Sequence, residues 1–421
     1  MKTSFGAWSV VCAALSVVLC ANADDWPQWR GPQRDGISRE TGLLKEWPKD
    51  GPKLKWQVNN VGSGYATPAV VGDRIYLMGN GGMENEFVEA LAVNDGGRLW
   101  STRVGNVGNP KQDPHFPAAR STPTVEGGRL YALGSDGDLA CLELKMGMIQ
   151  WQKNLRRHFG GKHGIWAYSE SPLVDGDVVV CTPGGTEAAL VGLNTKTGAV
   201  LWKTELPKEE EAGYSSPVVV KVGGIKQYVN VLGKGLAGVD AKSGKLLWRY
   251  EKISSRYGAN IPTPVAADGY VYSAGAGTGG GLVKLTANGK GVDAEQVYFS
   301  PKLPTAIGGG VKVGEFLYGT TGQGLACVEF ATGNVKWEER AFGAASLCYA
   351  DGRFYLHWEN GEVGLAEATP EGYHERGRFS PPNQPKRLNE MEKAWAYPVV
   401  ANGLLFIRDH NMLWCYEVKG R

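Results

Sequence analysis

The chain has 421 residues, more than a single hydrophobic core usually holds. Its formal charge is +2 and both signs are spread along the chain, which gives no support for a nucleic acid or another polyanion as partner. The 60 glycines and 14 tryptophans suit a fold with many turns and many aromatic packing residues.

The N-terminus has the pattern of a secretory signal peptide. Lys2 supplies a positive charge, residues 5–20 are mostly apolar, and Ala21-Asn22-Ala23 has the small-x-small form of a cleavage site. Lipidation at Cys20 is the alternative, but Leu19 is bulky where a small residue is expected. We therefore expect residues 1–23 to be removed and the protein to be exported to the periplasm or the cell exterior. No later segment is apolar enough to predict a membrane span.

Residues 24–50 show no strand pattern, and we expect them to pack irregularly over an outer or end face. Residues 54–58 resemble a single outer strand without neighbours in sequence. The last β-rich unit, residues 397–418, lacks a fourth strand. Docking residues 54–58 beside that unit would complete it and close a ring of sheets without open ends.

A glycine followed four residues later by tryptophan recurs along the chain, which predicts a repeat architecture. The pairs are Gly96 and Trp100, Gly147 and Trp151, Gly198 and Trp202, Gly244 and Trp248, and Gly333 and Trp337. The tryptophans are 51, 51, 46 and then 89 residues apart, the last close to two periods. We expect the glycine to take a left-handed turn conformation and the tryptophan to wedge between neighbouring units.

A Ser/Thr-Pro step opens five of the repeated units, and a tight turn follows within each unit. One full unit, residues 215–250, contains four short strands predicted at 217–222, 227–232, 236–240 and 245–250. Counting unit openings near residues 67, 122, 171, 216, 263, 308, 345 and 397 gives eight. The sequence therefore predicts an all-β, eight-bladed propeller of four-stranded antiparallel blades over residues 51–421.

Five cysteines remain after residue 23: Cys141, Cys181, Cys327, Cys348 and Cys415. Five is odd, so at least one thiol is free or paired outside the chain. We favour small buried side chains within strands over disulfide or metal roles.

Long loops between the outer strand of one unit and the inner strand of the next are expected to meet at one mouth of the central channel, which favours a binding surface there. Their arginine, histidine and aromatic residues suit an anionic or aromatic ligand, although the same residues could simply fill the channel mouth. Glu170, just before Ser171-Pro172, could orient Arg120 or His163, act as a base, or form a plain ion pair. The candidate ligand- or partner-binding residues are His115, Arg120, Arg157, His163, Trp166, Tyr168, Glu170, Tyr214, Arg256, Asn260 and Trp395.

The stretches ending in Trp202 and Trp248, Asn-Thr-Lys-Thr-Gly-Ala-Val-Leu-Trp and Asp-Ala-Lys-Ser-Gly-Lys-Leu-Leu-Trp, resemble the repeat of PQQ-like β-propellers. That superfamily includes quinoprotein alcohol dehydrogenases and the propeller lipoprotein of the outer-membrane β-barrel assembly machinery. The opening Trp26-Pro-Gln-Trp-Arg-Gly-Pro32, with Asp35-Gly36, resembles a secreted subset common in planctomycete-like bacteria. The resemblance covers residues 54–418 and implies the fold, but the superfamily holds both enzymes and binding proteins.

Two functions follow from this resemblance. The first is a non-catalytic, exported and monomeric propeller that binds a protein, peptide or glycan at the loop-rich mouth. The second is a quinoprotein dehydrogenase that uses PQQ and calcium to oxidise an alcohol. The resemblance to such dehydrogenases implies adjacent cysteines, a catalytic aspartate and acidic calcium ligands, yet this chain has no adjacent cysteines and Asp113 is nearly alone in the mouth loops. We therefore favour binding, with no cofactor, no catalytic residue and no metal ligand assigned.

Overall fold

Eight antiparallel sheets follow one another along the part of the chain that the computed structural model describes, residues 25–113, 116–206, 208, 210–255, 258–289, 291–305, 307–387 and 389–420. The predicted signal peptide lies outside the described residues. Two strands precede the repeated units, namely β1 (Ile37–Ser38) and β2 (Lys53–Val58). No helix of the described part is long and apolar enough to cross a membrane.

Each sheet is one propeller blade whose strands, here A to D, pair in chain order from the channel outward. Blade 1 consists of β3 (Ala69–Val71), β4 (Arg74–Gly81), β5 (Asn85–Ala92) and β6 (Arg98–Asn106), and blade 2 consists of β7 (Thr124–Glu126), β8 (Arg129–Leu133), β9 (Asp138–Glu143) and β10 (Ile149–Asn154). Blade 3 consists of β11 (Leu173–Asp175), β12 (Val178–Cys181), β13 (Leu190–Asn194) and β14 (Val200–Thr204). Blade 4 consists of β15 (Val218–Val222), β16 (Ile225–Leu232), β17 (Gly235–Asp240) and β18 (Leu246–Tyr250). One short helix, α1 (Leu155–Phe159), follows β10.

Blades 5 to 8 continue the same order. Blade 5 consists of β19 (Val265–Ala267), β20 (Tyr270–Gly275), β21 (Gly279–Ala287) and β22 (Val292–Ser300), and blade 6 consists of β23 (Val311–Val313), β24 (Phe316–Thr320), β25 (Leu325–Glu329) and β26 (Val335–Glu339). Blade 7 consists of β27 (Ala345–Ala350), β28 (Arg353–Trp358), β29 (Val363–Glu367) and β30 (Glu375–Phe379). Blade 8 contains β31 (Val399–Ala401), β32 (Leu404–Asp409) and β33 (Met412–Glu417). The predicted eight blades and their openings are confirmed, and the strands of blade 4 lie within two residues of their predicted bounds.

The ring closes through an N-terminal strand, as predicted. β2 pairs antiparallel with β33, so blade 8 has the strand order β2-β33-β32-β31. Leu54 lies opposite Tyr416, and Trp56 lies opposite Cys415. An early segment of the chain thereby supplies the fourth strand that the last blade lacks.

The repeated glycine and tryptophan meet across blades rather than within one blade. Gly147 has a φ of +69°, and a Cβ added there would lie 2.5 Å from the indole ring of Trp100 in the preceding blade. The indole N–H of Trp100 donates to the Leu144 carbonyl oxygen of the same turn at 3.0 Å. Gly198 stands in the same way against Trp151. The glycine therefore permits both the left-handed turn and the close approach of the neighbouring indole.

The structure differs from expectation at residues 26–38, which we call the channel plug. Trp26 exchanges two backbone hydrogen bonds of 2.8 Å with Val70 in inner strand β3, and β1 pairs in parallel with inner strand β27. The segment therefore lies against the inner strands that line the channel, and its expected place on an outer or end face is wrong. The inner edges of these strands present backbone carbonyls that need donors, and the plug supplies them.

Two buried arginines of the plug provide those donors. Arg34 donates to the carbonyl oxygens of Ser171 at 2.8 Å and Pro172 at 3.1 Å. Arg30 donates to the carbonyl oxygens of Gly309, at 3.3 Å, and Gly310. The chain then leaves the channel at the opposite end, where Leu43 N–H donates to Asp351 Oδ2 at 2.9 Å, and continues to β2.

All five cysteines of the described part are buried and unpaired, as expected: Cys141, Cys181, Cys327, Cys348 and Cys415. Burial raises the pKa of the Cys141 thiol to about 11. A buried, protonated thiol acts as a small apolar side chain in the strands.

Candidate functional site

The inner strands all begin at one end of the channel, which we call the mouth, and a pocket of about 350 Å³ lies there. One repeated position supplies its wall. In each blade a residue two positions before the Ser/Thr-Pro step, or before its equivalent, lines the pocket. These eight residues form what we call the mouth ring, in blade order Tyr65, Arg120, Ser169, Tyr214, Ile261, Ile307, Ala344 and Trp395.

The Ser/Thr-Pro steps hold the mouth ring in place by hydrogen bonds from blade to blade. The Thr122 N–H donates to Ser171 Oγ at 2.9 Å, and the Ser171 N–H donates to Ser216 Oγ at 2.9 Å. Across the closure, the Tyr397 N–H donates to Thr67 Oγ1 at 3.1 Å. A hydroxyl at this step therefore satisfies a backbone donor of the preceding blade, which explains why serine and threonine recur there.

The channel plug forms the floor of the pocket. The Trp29 indole N–H donates to Thr263 Oγ1 at 2.8 Å, and the ring lies edge-on to Tyr397 with centroids 4.9 Å apart. Gly308 leaves room for this pair, because a Cβ there would lie 2.8 Å from the Trp29 ring. The floor thus presents aromatic carbon, while the one indole donor is already used.

Aromatic residues from blades 8 and 1 build one wall. The rings of Trp395 and Tyr65 have centroids 5.0 Å apart, and Tyr65 is 7% exposed. The Trp395 indole N–H donates to Glu359 Oε1 at 2.9 Å. This wall again presents ring surface, with Glu359 as the charged residue at its edge.

Arg120 continues the wall into blade 2. Its Nη1 donates to the Trp166 carbonyl oxygen at 2.7 Å, and its guanidinium carbon lies 5.4 Å from the Trp166 ring centroid and 5.9 Å from that of Tyr65. Among the described residues, no carboxylate lies within 4.0 Å of this guanidinium. Burial lowers the pKa of Arg120, but an arginine side chain keeps its charge at neutral pH.

Four of the residues predicted from the sequence come together at this pocket: Arg120, Trp166, Tyr214 and Trp395. Glu170 lies next to the pocket in a buried position, and its Oε1 accepts the Thr182 N–H. Burial raises the pKa of Glu170 to about 7. Its charged neighbour is Arg34 of the plug, and the hypothesis that it orients Arg120 or His163 has no contact to support it.

Four other predicted residues do not line the pocket. Arg157 is exposed and pairs with Asp138 at 3.0 Å. His163 lies away from the pocket wall. Its Nδ1 is 2.7 Å from the Gly164 carbonyl oxygen, and its ring stands edge-on to the ring of Tyr168. Tyr168 donates to the Pro183 carbonyl oxygen at 2.7 Å. Asn260 is buried, and its side-chain amide N–H groups donate to the carbonyl oxygens of Leu232 and Gly233. His115 and Arg256 lie outside the described residues.

Sequence reasoning missed Trp29, Tyr65, Glu359 and Tyr397. Tyr65 and Tyr397 had a usable signal, because one belongs to the mouth ring and the other occupies the position of the Ser/Thr-Pro step. Counting two residues back from the five Ser/Thr-Pro steps and from Tyr397-Pro398 finds six of the eight ring positions. Trp29 and Glu359 had no such signal, since a plug contact and a B–C turn set their places.

The residues at the mouth do not fit PQQ with calcium, the cofactor pair that the resemblance to dehydrogenases brings into question. PQQ carries three carboxylates, whereas the charged residues that line the pocket are Arg120 and Glu359. No group of three or more histidine, cysteine, aspartate or glutamate side chains within the described ranges is placed to hold a metal ion. A calcium ion needs several oxygen ligands together.

The sequence matches the family described as outer membrane protein assembly factor BamB, over residues 37–165 and 84–339. It is 28% identical over 125 residues to BamB of Moranella endobia (strain PCIT), covering 28% of this chain and 31% of that protein. It is 27% identical over 121 residues to BamB of Salmonella typhimurium (strain LT2), covering 29% of this chain and 28% of that protein. The aligned stretch spans less than a third of the length of these relatives.

Solved structures share the fold. BamB from Moraxella catarrhalis superposes with a TM-score of 0.58 at 14% identity, covering 85% of this chain and 95% of that one. Quinohemoprotein alcohol dehydrogenase ADHIIG from Pseudomonas putida HK5 superposes with a TM-score of 0.63 at 13% identity, covering 95% and 81%. Identities this low show a common architecture and do not separate a binding protein from an enzyme.

Proposed function

We propose, since this chain belongs to the PQQ-like β-propeller family described as outer membrane protein assembly factor BamB, that it is an exported, non-catalytic binding or scaffolding propeller. In this proposal a protein, peptide or glycan is held at the mouth pocket, and the chain acts as a monomer without PQQ. The relatives are assembly factors by name, which supports a role in holding another molecule in place.

The observation that carries the proposal is the convergence of eight equivalent positions on one pocket with a closed floor. Every blade places one residue at the same position of the pocket wall, yet the mouth-ring side chains differ from blade to blade. Hydrogen bonds between the Ser/Thr-Pro steps hold these positions fixed, so the pocket is largely formed before a ligand arrives. A pocket with a fixed frame and varied lining supports selective binding.

Export is supported by the pattern in residues 1–23 and is tested separately. Mass spectrometry of protein recovered from cells that make it naturally is expected to give a mature chain starting at Asp24. A chain retaining Met1 would contradict export through this segment, and a chain starting with a lipid-modified Cys20 would contradict cleavage after Ala23.

Binding at the mouth is tested by photo-crosslinking in those cells. A photoreactive side chain at Ile261, on the wall of the pocket, is expected to give discrete crosslinked products. The matched control places the same group at Val335, an exposed residue of outer strand β26 far from the channel. Trp395→Ala in the Ile261 background is expected to reduce the products at unchanged melting temperature. Equal products from both positions, or no effect of the substitution, would argue against the mouth as the site.

A further inference from the structure

The pocket holds a cation whose charge the described residues leave unpaired. Arg120 uses one N–H on the Trp166 carbonyl oxygen, which leaves most of its five donors without a partner in the described part. It sits between two aromatic rings rather than against a carboxylate. Proteins normally pair partly buried charges, because removal from water weakens the hydration that stabilises them.

Donors without partners flank this cation in the mouth ring. The Tyr65 hydroxyl, from blade 1, and the Ser169 hydroxyl, from blade 3, are both buried and have no hydrogen-bond partner among the described residues. Burial also raises the pKa of Tyr65 above its usual value, so its hydroxyl keeps the proton that it can donate. Three successive ring positions therefore offer hydroxyl or guanidinium donors on one side of the pocket, a set suited to an oxyanion.

The opposite side has different chemistry. Blades 5, 6 and 7 contribute Ile261, Ile307 and Ala344 to the ring, and the floor presents the rings of Trp29 and Tyr397. This side is apolar and can bury a flat or branched hydrocarbon group. Glu359, beside Trp395, adds a negative charge at the edge of the pocket. It would repel a second anionic group, so the lining favours a single negative charge held near Arg120.

We propose that the mouth pocket binds a monocarboxylate whose carboxylate is joined to an aromatic or aliphatic body. The carboxylate lies against Arg120 between Tyr65 and Ser169, and the body lies over Trp29 towards Ile261 and Ile307. A free aromatic acid and the C-terminal residue of a polypeptide both carry this chemistry. The inference rests on the proposed function, because it names what the proposed binding site recognises.

The experiment compares an acid with its amide on the full mature protein. Isothermal calorimetry and tryptophan fluorescence follow titration with 3-phenylpropionate and with 3-phenylpropionamide, which differ in charge and match in shape. Wild type is expected to bind the acid at least tenfold more tightly than the amide. A glycine-rich pentapeptide with a C-terminal phenylalanine, as acid and as amide, separates the two sources: tighter binding of the peptide acid than of 3-phenylpropionate indicates a chain terminus, and the reverse indicates a small acid.

Variants then assign the preference to the pocket. Arg120→Gln is expected to abolish the preference for the acid, whereas Arg129→Gln, which removes an arginine of the same blade at the opposite face, is expected to keep it. Equal binding of acid and amide by wild type, no binding of either, or an acid preference that survives Arg120→Gln would overturn the inference. The wild-type comparison decides it even if Arg120→Gln fails to fold. Crosslinking from Ile261 tests the proposed function independently, so a partner captured there without any acid preference would reject only the ligand class.

Discussion

Nη2 of Arg34 lies 2.8 Å from the carbonyl oxygen of Ser171, 137 positions along the chain. An arginine of the N-terminal segment thereby holds the start of an inner strand, at the residue whose hydroxyl accepts the N–H of Thr122. The channel plug and the frame of the mouth are therefore one connected structure. Loss of the plug contact is therefore expected to lower both the stability of the fold and the affinity of the mouth pocket for its ligand.

Arg34→Ala should be strongly destabilising. It removes charge-assisted hydrogen bonds to Ser171, Pro172 and Gln28 and leaves buried carbonyl oxygens without donors. We expect a loss of about 3–5 kcal/mol in the free energy of unfolding, the range for breaking a buried polar network. Thermal unfolding followed by circular dichroism measures the change as a lower melting temperature.

Arg39→Ala is the matched control, because it removes an arginine directly after the plug that is 63% exposed and only loosely paired with Asp35 at 3.7 Å. Its effect should stay within about 0.5 kcal/mol. Similar melting temperatures for the two variants would mean that the plug contributes little to the fold.

Gly147→Ala should be more harmful than the same change at a free turn. Both Gly147 and Gly72 have positive φ, +69° and +58°, so alanine is strained at either position by about 1–2 kcal/mol. At Gly147 the new Cβ would also lie 2.5 Å from the Trp100 ring, whereas at Gly72 nothing lies within 4 Å. Displacement of the indole should add about 1–3 kcal/mol. Equal melting temperatures for the two variants would show that the indole contact is not a constraint.

The sequence predicted the blades well because their signals are local and repeat once in each blade. A glycine in a left-handed turn beside the indole of the preceding blade, as at Gly147, leaves a fixed spacing that can be counted. The closing strand was predictable although its partner strand is distant in sequence, because residues 54–58 have the pattern of an outer strand and blade 8 lacks one.

The plug and much of the pocket were not predictable in this way. Trp29 bonds to Thr263 and Arg34 to Ser171 over separations that no repeat fixes. Loop composition also suggested Arg157, which lies away from the pocket and pairs with the buried Asp138. Charged residues are common in loops whether or not they bind anything, so composition alone does not place them at a pocket. The mouth ring was not predicted although its position repeats in every blade, because the residue type at that position changes from blade to blade.

Glu170→Gln should flatten the dependence of stability on pH. Burial raises the pKa of Glu170 from 4.5 to about 7, so between these values the unfolded chain loses a proton that the folded chain keeps. The contribution of this carboxyl group is therefore fully present below pH 4.5 and is lost as the pH rises to about 7, by about 3 kcal/mol. Glutamine does not titrate and should remove the share of the slope that Glu170 contributes, while the buried carboxyl of Glu86, whose pKa is also raised to about 7, keeps its own share. Melting temperatures between pH 4.5 and 8 measure the difference.

Glu126→Gln provides the comparison for this slope, because Glu126 is an exposed carboxylate at the end of inner strand β7. Its melting curve should follow wild type at every pH. A slope that persists in Glu170→Gln and matches the Glu126→Gln curve would place the titrating group elsewhere.

Ligand binding at the mouth should also depend on pH, through Glu86. This buried carboxyl accepts the Ser135 N–H and interacts electrostatically with Arg120 and Asp138, and burial raises its pKa to about 7. Below pH 7 it is neutral and leaves the charge of Arg120 uncompensated, whereas above pH 7 its negative charge opposes an incoming carboxylate. The ring of His410 stands edge-on to Tyr65, and burial lowers the pKa of this histidine. We therefore expect 3-phenylpropionate to bind several-fold more tightly at pH 6.5 than at pH 8.5, a difference on the order of 1 kcal/mol.

Glu86→Gln should bind the acid with the higher affinity at both pH values, and binding of the neutral amide should not change with pH. An affinity for the acid that is constant in wild type, or that still varies in Glu86→Gln, would separate Glu86 from the site.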